Sequence, residues 1–285
     1  MAIVVSAVLA AMFWLGERAP RAGSARIVIV IGKKGPAAPG QHEYFAGAML
    51  LARMLSQTRG VAPAVVRDGD PDVELRGARS IVFYCDGGDA HPFADPRWIA
   101  ALDRALAAGR GLVLLHDALD VPEREGDRVL GWVGGRFKRG VSFERLPGWP
   151  AGFENLPAHA TTRGVYAFGL DEEWQLDHEF IADRRGVKPI LRTVPPEYVV
   201  SNPKLGKQLE AWAFERRGGG RSFAAAGPHY HDSWKSEDFR RLVTNAILWT
   251  AGIDVPADGA EVSLPNEELA KNLTNERPKP NPRQH

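Results

Sequence analysis

Three short apolar runs constrain the fold of this 285-residue chain more than any other feature. Residues 26–31 (RIVIVI), 80–85 (SIVFYC) and 111–115 (GLVLL) show no alternation of polar and apolar positions. A strand that is apolar on both faces belongs inside a parallel sheet covered by helices on both sides. Helical patterns follow the runs. Residues 42–58 place Tyr44, Ala48, Leu51 and Leu55 on one face and stop at Gly60. Asp95 caps a second helix with Pro96 at its first position, and that helix turns Trp98, Ile99, Leu102 and Leu106 inward before Gly109. A weaker strand, residues 62–66, lies between the first two runs in the chain. This alternation implies right-handed crossovers and a doubly wound, mostly parallel α/β sheet.

The second half changes character. Residues 209–215 and 221–226 flank Arg216-Arg217-Gly218-Gly219-Gly220 and read as a C-terminal β-hairpin added to the sheet. Residues 236–251 form a helix that buries Phe239, Leu242, Val243, Ala246 and Ile247 and stops at Gly252. Beyond Pro256 the chain is polar and rich in proline and asparagine, which predicts a loose, disordered tail over 257–285. At the other end, residues 3–15 (IVVSAVLAAMFWL) are apolar but shorter than the roughly 20 residues a membrane span needs. Their length suits the core of a signal peptide, with small residues near Ala25 as a cleavage site, although no Lys or Arg precedes them. The expectation is a signal peptide or N-terminal anchor over 1–25, one α/β domain over 26–256, and export to the periplasm or beyond. No stable span is expected in the mature chain.

Lys plus Arg number 36 against 35 Asp plus Glu, a net charge of +1. That balance provides no basic field for nucleic acid, and a small neutral ligand suits it better. The one cysteine, Cys85, excludes an internal disulfide and any site that needs two thiolates. It reads as a buried structural thiol.

In open α/β sheets ligands bind beyond the carboxyl ends of the strands. Four such ends can be read directly: Gln41-His42-Glu43, Asp86 to His91, His116-Asp117, and His229-Tyr230-His231-Asp232 with Trp234. Each delivers at least one of the chain's 8 histidines. His42 reads equally as a helix cap, and His91 beside Pro92 reads as solvated. His116 leaves a buried strand, where an unpaired polar ring is costly. His229 and His231 alternate in an extended stretch, so both rings should point the same way. His42, His116, His229 and His231 are expected to surround one cavity at the carboxyl ends of the strands.

The same strings carry a family resemblance. GQHEYFAGAMLLARML, FYCDGGDAHP, GLVLLHDALDV with GWVGGRF, DEEW, and GGGRSFAAAGPHYHDSW followed by FRRLVTNAILWTAGIDVP resemble the ThuA-like family, named for trehalose utilisation, in that order over residues 26–256. The resemblance implies a flavodoxin-like sandwich similar to class I glutamine amidotransferases. Family members commonly show Gly-Glu-His-Glu after the first strand, where this chain has Gly40-Gln41-His42-Glu43 and lacks the first acid. Pro36-Ala37-Ala38-Pro39 stands where Ser-His-Gly is usual. The paired histidines after the third run are His116-Asp117 here, and the late Gly-His-x-His string survives as His229 and His231. Asp171, Glu172, Glu173 and Trp174 match a shared acidic-aromatic string. Amidotransferase chemistry is not implied: His116 stands at the nucleophile's elbow, and no late His-Pro-Glu exists.

The resemblance implies an enzyme acting on a sugar or an oxidised (keto) glycoside. His116, Asp117 and His229 would be its catalytic groups, with His42, Glu43, Glu173, Trp174, His231 and Trp234 as ligand contacts. Histidine suits acid-base work because both its protonation states are available near neutrality. Hydrolase, lyase and isomerase chemistry all fit. The competing reading is a non-catalytic sugar-binding or accessory domain with Trp174, Trp212 and Trp234 as stacking platforms, Trp212 being better suited to the core. No organic cofactor is assigned. A divalent metal held by histidine and carboxylate fits either reading, and so does a homo-oligomer.

Overall fold

The computed structural model describes residues 23–67, 69–144, 148–200 and 206–274. The segment expected to direct export, residues 3–15, and the last eleven residues of the expected tail lie outside them. Strand β1 (Ala25–Val30) alternates as its composition demands, with Ile27 and Ile29 in one core layer and Val28 and Val30 in the other. Strands β2 (Val61–Val66), β3 (Ala78–Tyr84) and β4 (Gly111–Leu115) run parallel with it. Three more complete the sheet: β5 (Val187–Thr193), β6 (Gln208–Glu215) and β7 (Arg221–Ala225), in the order β5-β6-β7-β4-β3-β1-β2. From the β2 edge, the first five strands follow the flavodoxin-like winding, with β7 as the fifth.

The hairpin is therefore more than an appendage. Its second strand, β7, pairs parallel with β4 inside the sheet, and only β6 runs against the rest. Strand β5 was not legible in the sequence, because Lys188, Pro189 and Arg192 interrupt its apolar pattern. Those are edge-strand residues, and β5 is the edge.

Helices α1 (Tyr44–Leu55) and α4 (Glu237–Thr250) cover the Ile27 face, while α2 (Pro96–Ala107) and α3 (Gly126–Val133) cover the Val28 face. The caps follow the sequence: Asp95 Oδ1 accepts from the Arg97 amide at 2.9 Å, and Ser236 Oγ accepts from Phe239 N at 3.2 Å. Helix α1 starts two residues later than the pattern suggests. His42 has φ 50°, a left-handed backbone that cannot belong to a right-handed helix. Gly47 lets α1 press onto the sheet, since a Cβ there would sit 2.5 Å from the Tyr84 ring and 2.8 Å from Trp234 Nε1.

Two segments depart from the sequence reading. Residues 143–180 form short antiparallel pairs, Trp149–Phe153 with Phe168–Glu172 and Phe143–Glu144 with Gln175–Leu176. Residues 257–274, expected as loose tail, pack as a strap. Ala260 and Val262 are buried, the Ala260 amide donates to Asn245 Oδ1 at 2.8 Å, and Thr274 N donates to Glu43 Oε2 at 2.7 Å. Buried side chains satisfy the strap's backbone, which composition alone could not reveal. Among the described residues no helix is long and apolar enough to cross a membrane.

Strand β6 carries Glu210, fully buried, whose two carboxyl oxygens have no hydrogen-bond partner among the described residues. Burial pushes this carboxyl well above the usual range. A carboxyl raised in the folded state favours folding below its unfolded pKa, and that contribution is lost as pH rises towards the folded value. Glu210→Gln removes the ionisation. Its melting temperature should gain on the wild type by several degrees between about pH 5 and pH 8. A gap that stays constant across this window would show that Glu210 is ionised and paired.

Candidate active site

The loops leaving β1, β3, β4 and β7 meet at the carboxyl edge of the sheet. Those after β1 and β7 are stitched together by backbone: His42 N donates to His229 O at 3.1 Å, His231 N to Gly40 O at 2.8 Å, and Gln41 bridges Tyr230. His116, the first residue beyond β4, is also left-handed at φ 54°. Non-glycine residues seldom hold this conformation, and histidine is among those that tolerate it best. The turn leaves His116 Nδ1 donating to the carbonyl of Ala226, beyond the end of β7, at 2.8 Å.

Three imidazoles converge as a result. His42 Nε2 lies 3.0 Å from His229 Nδ1, His229 Nδ1 lies 3.1 Å from His116 Nε2, and His116 Nε2 lies 3.5 Å from His42 Nε2. Carboxylates ring them. Asp117 approaches His116 Nε2 at 3.3 Å and His42 Nε2 at 3.6 Å, Glu173 Oε2 meets His229 Nδ1 at 2.9 Å, and Asp86 Oδ1 meets His42 Nδ1 at 3.3 Å. The Tyr44 hydroxyl donates to Asp86 at 2.6 Å and lies 3.3 Å from Asp117. Gln175 Nε2 donates to Asp117 at 3.1 Å and to Glu144 at 2.8 Å, bringing these two carboxyls together. His116 and His229 are buried, and the cluster reaches solvent through the side chains of His42, Asp117 and Asp86, 21, 16 and 12 % exposed.

Burial and the neighbouring His229 and His42 push His116 down to about 3, so its ring is neutral at physiological pH. Burial first, and then the charge of Asp86, push Asp117 up, while burial and the charge of Asp117 push Glu144 up, so that one proton is readily held between them. Burial opposes ionisation of Glu173, but the hydrogen bond and charge of His229 outweigh it and hold this carboxyl low. Burial likewise opposes protonation of His42, yet Asp86, Asp117 and Glu173 together raise it. The site thus combines a neutral imidazole, a carboxyl pair that holds a proton and a carboxylate that does not.

Of the residues read from the sequence, His42, His116, Asp117, Glu173 and His229 converge. His231 does not. Its Nε2 donates to Leu269 O at 2.8 Å in the strap, because the chain turns into a short 3-10 helix from His231 and breaks the period of two. Glu43 is fully buried and holds Thr274, not the cavity. Trp174 and Trp234 are fully buried core residues, Trp174 donating to Trp149 O at 3.1 Å, so neither offers a ring to a ligand. His91 is buried rather than solvated, with Nε2 donating to Ala118 O at 3.2 Å and Nδ1 accepting from Phe93 N at 2.9 Å.

Tyr44, Asp86, Glu144 and Gln175 were missed. Asp86 directly follows a buried strand and Tyr44 opens a helix, so both had a positional signal. Glu144 and Gln175 come from the 143–180 insertion, which has none. Glu172, one residue before Glu173, works from below: its carboxyl accepts from the amides of His229 at 2.9 Å and Tyr230 at 3.3 Å and from the Ser233 hydroxyl, fixing the loop that carries His229. A separate cleft of about 580 Å³, lined by Arg79, Arg110, Arg216 and Arg221, lies at the opposite, amino ends of the parallel strands and holds no histidine.

A sequence profile of the ThuA family, described as trehalose utilisation, matches residues 28–250. No curated protein matches the chain. Among solved structures, a ThuA-like protein from Bacteroides uniformis superposes with a TM-score of 0.61 at 17% identity, covering 84% of this chain and 97% of that one. A ThuA-like protein from Parabacteroides merdae gives 0.59 at 12% identity, covering 82% and 92%. At these identities the likeness is one of fold.

Cys85 lies in the Val28 core layer, fully buried, its thiol pushed well up by burial and by Asp86. It should resist DTNB in the native protein and react only on unfolding. Cys85→Ala should lower stability by on the order of 1 kcal/mol and leave ligand affinity intact. Rapid alkylation of the native thiol with loss of function would instead assign it a nucleophilic role.

Proposed function

The chain belongs to the ThuA family, and from that premise we propose that it is a carbohydrate-processing enzyme using histidine–carboxylate acid-base chemistry, with an oxidised (keto) glycoside as substrate class. The observation that carries the proposal is the meeting of the Asp117–Glu144 carboxyl pair with the Glu173–His229 pair around buried His116. Groups whose surroundings push their protonation in opposite directions are the usual mark of an acid and a base working together.

A keto group makes the neighbouring C–H acidic, so the first demand on the site is a base beside that carbon. Glu173, held low, can take a proton through His229, while Asp117 can return the proton shared with Glu144 to a departing or shifting oxygen. Elimination, hydrolysis and isomerisation share this exchange and differ in where the second proton lands. Tyr44 and Gln175 keep Asp117 in place from both sides. The binding-only alternative is not favoured, because the tryptophans proposed as stacking platforms are buried.

The test is a turnover screen against glycosides and their 3-keto derivatives. Asp117→Asn and His116→Asn should keep the fold, as read by circular dichroism, while the rate falls by about a hundredfold or more. A variant that loses melting temperature but keeps its rate per folded molecule would remove that residue from the catalytic set.

A further inference from the structure

We infer that His42, His116 and His229 bind one divalent transition-metal ion of the zinc type, through Nε2, Nε2 and Nδ1, with Asp117 at its open side. The inference deepens the function proposed above, at the same site, but stands on the geometry of the three rings.

Proton bookkeeping comes first. A neutral imidazole has one N–H and one lone pair. Ala226 O can only accept, so the proton of His116 is on Nδ1 and its Nε2 lone pair faces the centre. Asp86 Oδ1 accepts from His42 Nδ1, which turns the Nε2 lone pair of His42 to the same point. His229 has a buried Nε2 with no partner among the described residues, and its Nδ1 faces the other two nitrogens. If the His229 proton is on Nε2, a buried donor is wasted and three lone pairs collide. If it is on Nδ1, it satisfies one neighbour and leaves the rest facing each other. Glu173 Oε2, 2.9 Å from His229 Nδ1, can take that proton, which leaves the lone pairs of His42 and His116 aimed at one point beside Asp117. A cation at the centre satisfies all three.

The dimensions fit. Nitrogens bound to a tetrahedral ion at about 2.0–2.1 Å stand roughly 3.3–3.4 Å apart. The triangle here has sides of 3.0, 3.1 and 3.5 Å. A point about 2.05 Å from all three nitrogens lies about 0.9 Å off their plane, a distance suited to zinc and its neighbours. The outer contacts fit as well. Metal-bound histidines almost always donate their second nitrogen to a carboxylate or a backbone carbonyl, and Asp86 and Ala226 O occupy those places for His42 and His116, while His229 Nε2 has no partner among the described residues. Three imidazoles and a carboxylate favour a late first-row ion over magnesium or calcium, which prefer oxygen. Asp86, Asp117 and Glu173 supply the negative charge that a dication needs. With the ion bound, His229 Nδ1 is a ligand and no longer a relay, so Glu173 takes the proton directly, Asp117 returns one, and the ion polarises a sugar oxygen.

The experiment uses the full chain, stripped with EDTA, dialysed against Zn²⁺ or Co²⁺ and measured by plasma mass spectrometry and visible absorption. The expected result is about one ion per chain, a higher melting temperature, and a Co²⁺ spectrum of four- or five-coordinate nitrogen-rich type. His116→Ala and His229→Ala should weaken binding at least about a hundredfold, and Asp86→Asn about tenfold. His159→Gln, a histidine packed on Trp249 outside the cluster, should bind like the wild type. Folded wild-type protein taking up less than about a tenth of an ion per chain at hundredfold excess Zn²⁺ would overturn the inference, and so would folded variants that bind as tightly as wild type. The wild-type measurement needs no variant to fold. A metal-free chain that turns over a keto-glycoside overturns the metal and leaves the acid-base proposal standing. A chain that binds one ion and is inert to every sugar does the reverse.

Discussion

Four residue pairs, Ser222 with Leu112 through Ala225 with Leu115, hold β7 beside β4 in parallel register. Because the two strands run the same way, both end at the same edge of the sheet. Both then release a histidine within a few residues: His116 immediately, His229 after Gly227 and Pro228. Had the hairpin been attached by β6, its neighbour in the order would have run the other way, and His229 would have emerged at the arginine-lined end. The antiparallel strand is therefore displaced outward, where it costs the site nothing. The bond from His116 to Ala226 O then ties the two ends together.

Much of this was legible in the chain. Unbroken apolar runs named β1, β3 and β4, Asp95 and Ser236 named their helix starts, and listing the residues after each strand found His42, His116 and His229 without knowledge of the fold. Period and composition failed where backbone geometry changed or where contacts were non-local. His231 was misread because a 3-10 turn replaces an extended stretch. His42 was offered a place in α1 that its left-handed backbone refuses. Trp174 and Trp234 looked like platforms because an aromatic residue near a site carries no mark of which way it faces. Glu144 and Gln175 reach Asp117 from an insertion whose strands are only two residues long.

The cluster is also a study in how buried charge is tolerated. Acids and imidazoles are packed at hydrogen-bond distance under little solvent, a condition that would destabilise a folded protein were each group alone. Here the acids are matched: Asp86 by Tyr44, His42 and the Gly35 amide, Glu172 by the loop amides it organises, Glu173 by His229. Glu210 shows the contrasting case, a buried acid with no such company. Matched polar networks of this sort fix positions closely, which is what a reacting centre requires.

The strap has a consequence in time as well as in space. Glu43, next to His42, is closed over by Thr274, and His231 is anchored by Leu269, so the first loop of the sheet is finished by residues more than two hundred positions later. The ribosome delivers those residues long after the first loop. Strands β1 to β4 and their helices can collapse on the emerging chain, but His229 and the strap arrive only later. A nascent chain thus carries an assembled scaffold with an unfinished centre. Its reactive groups come together only after the hydrophobic layers that must shelter them are in place.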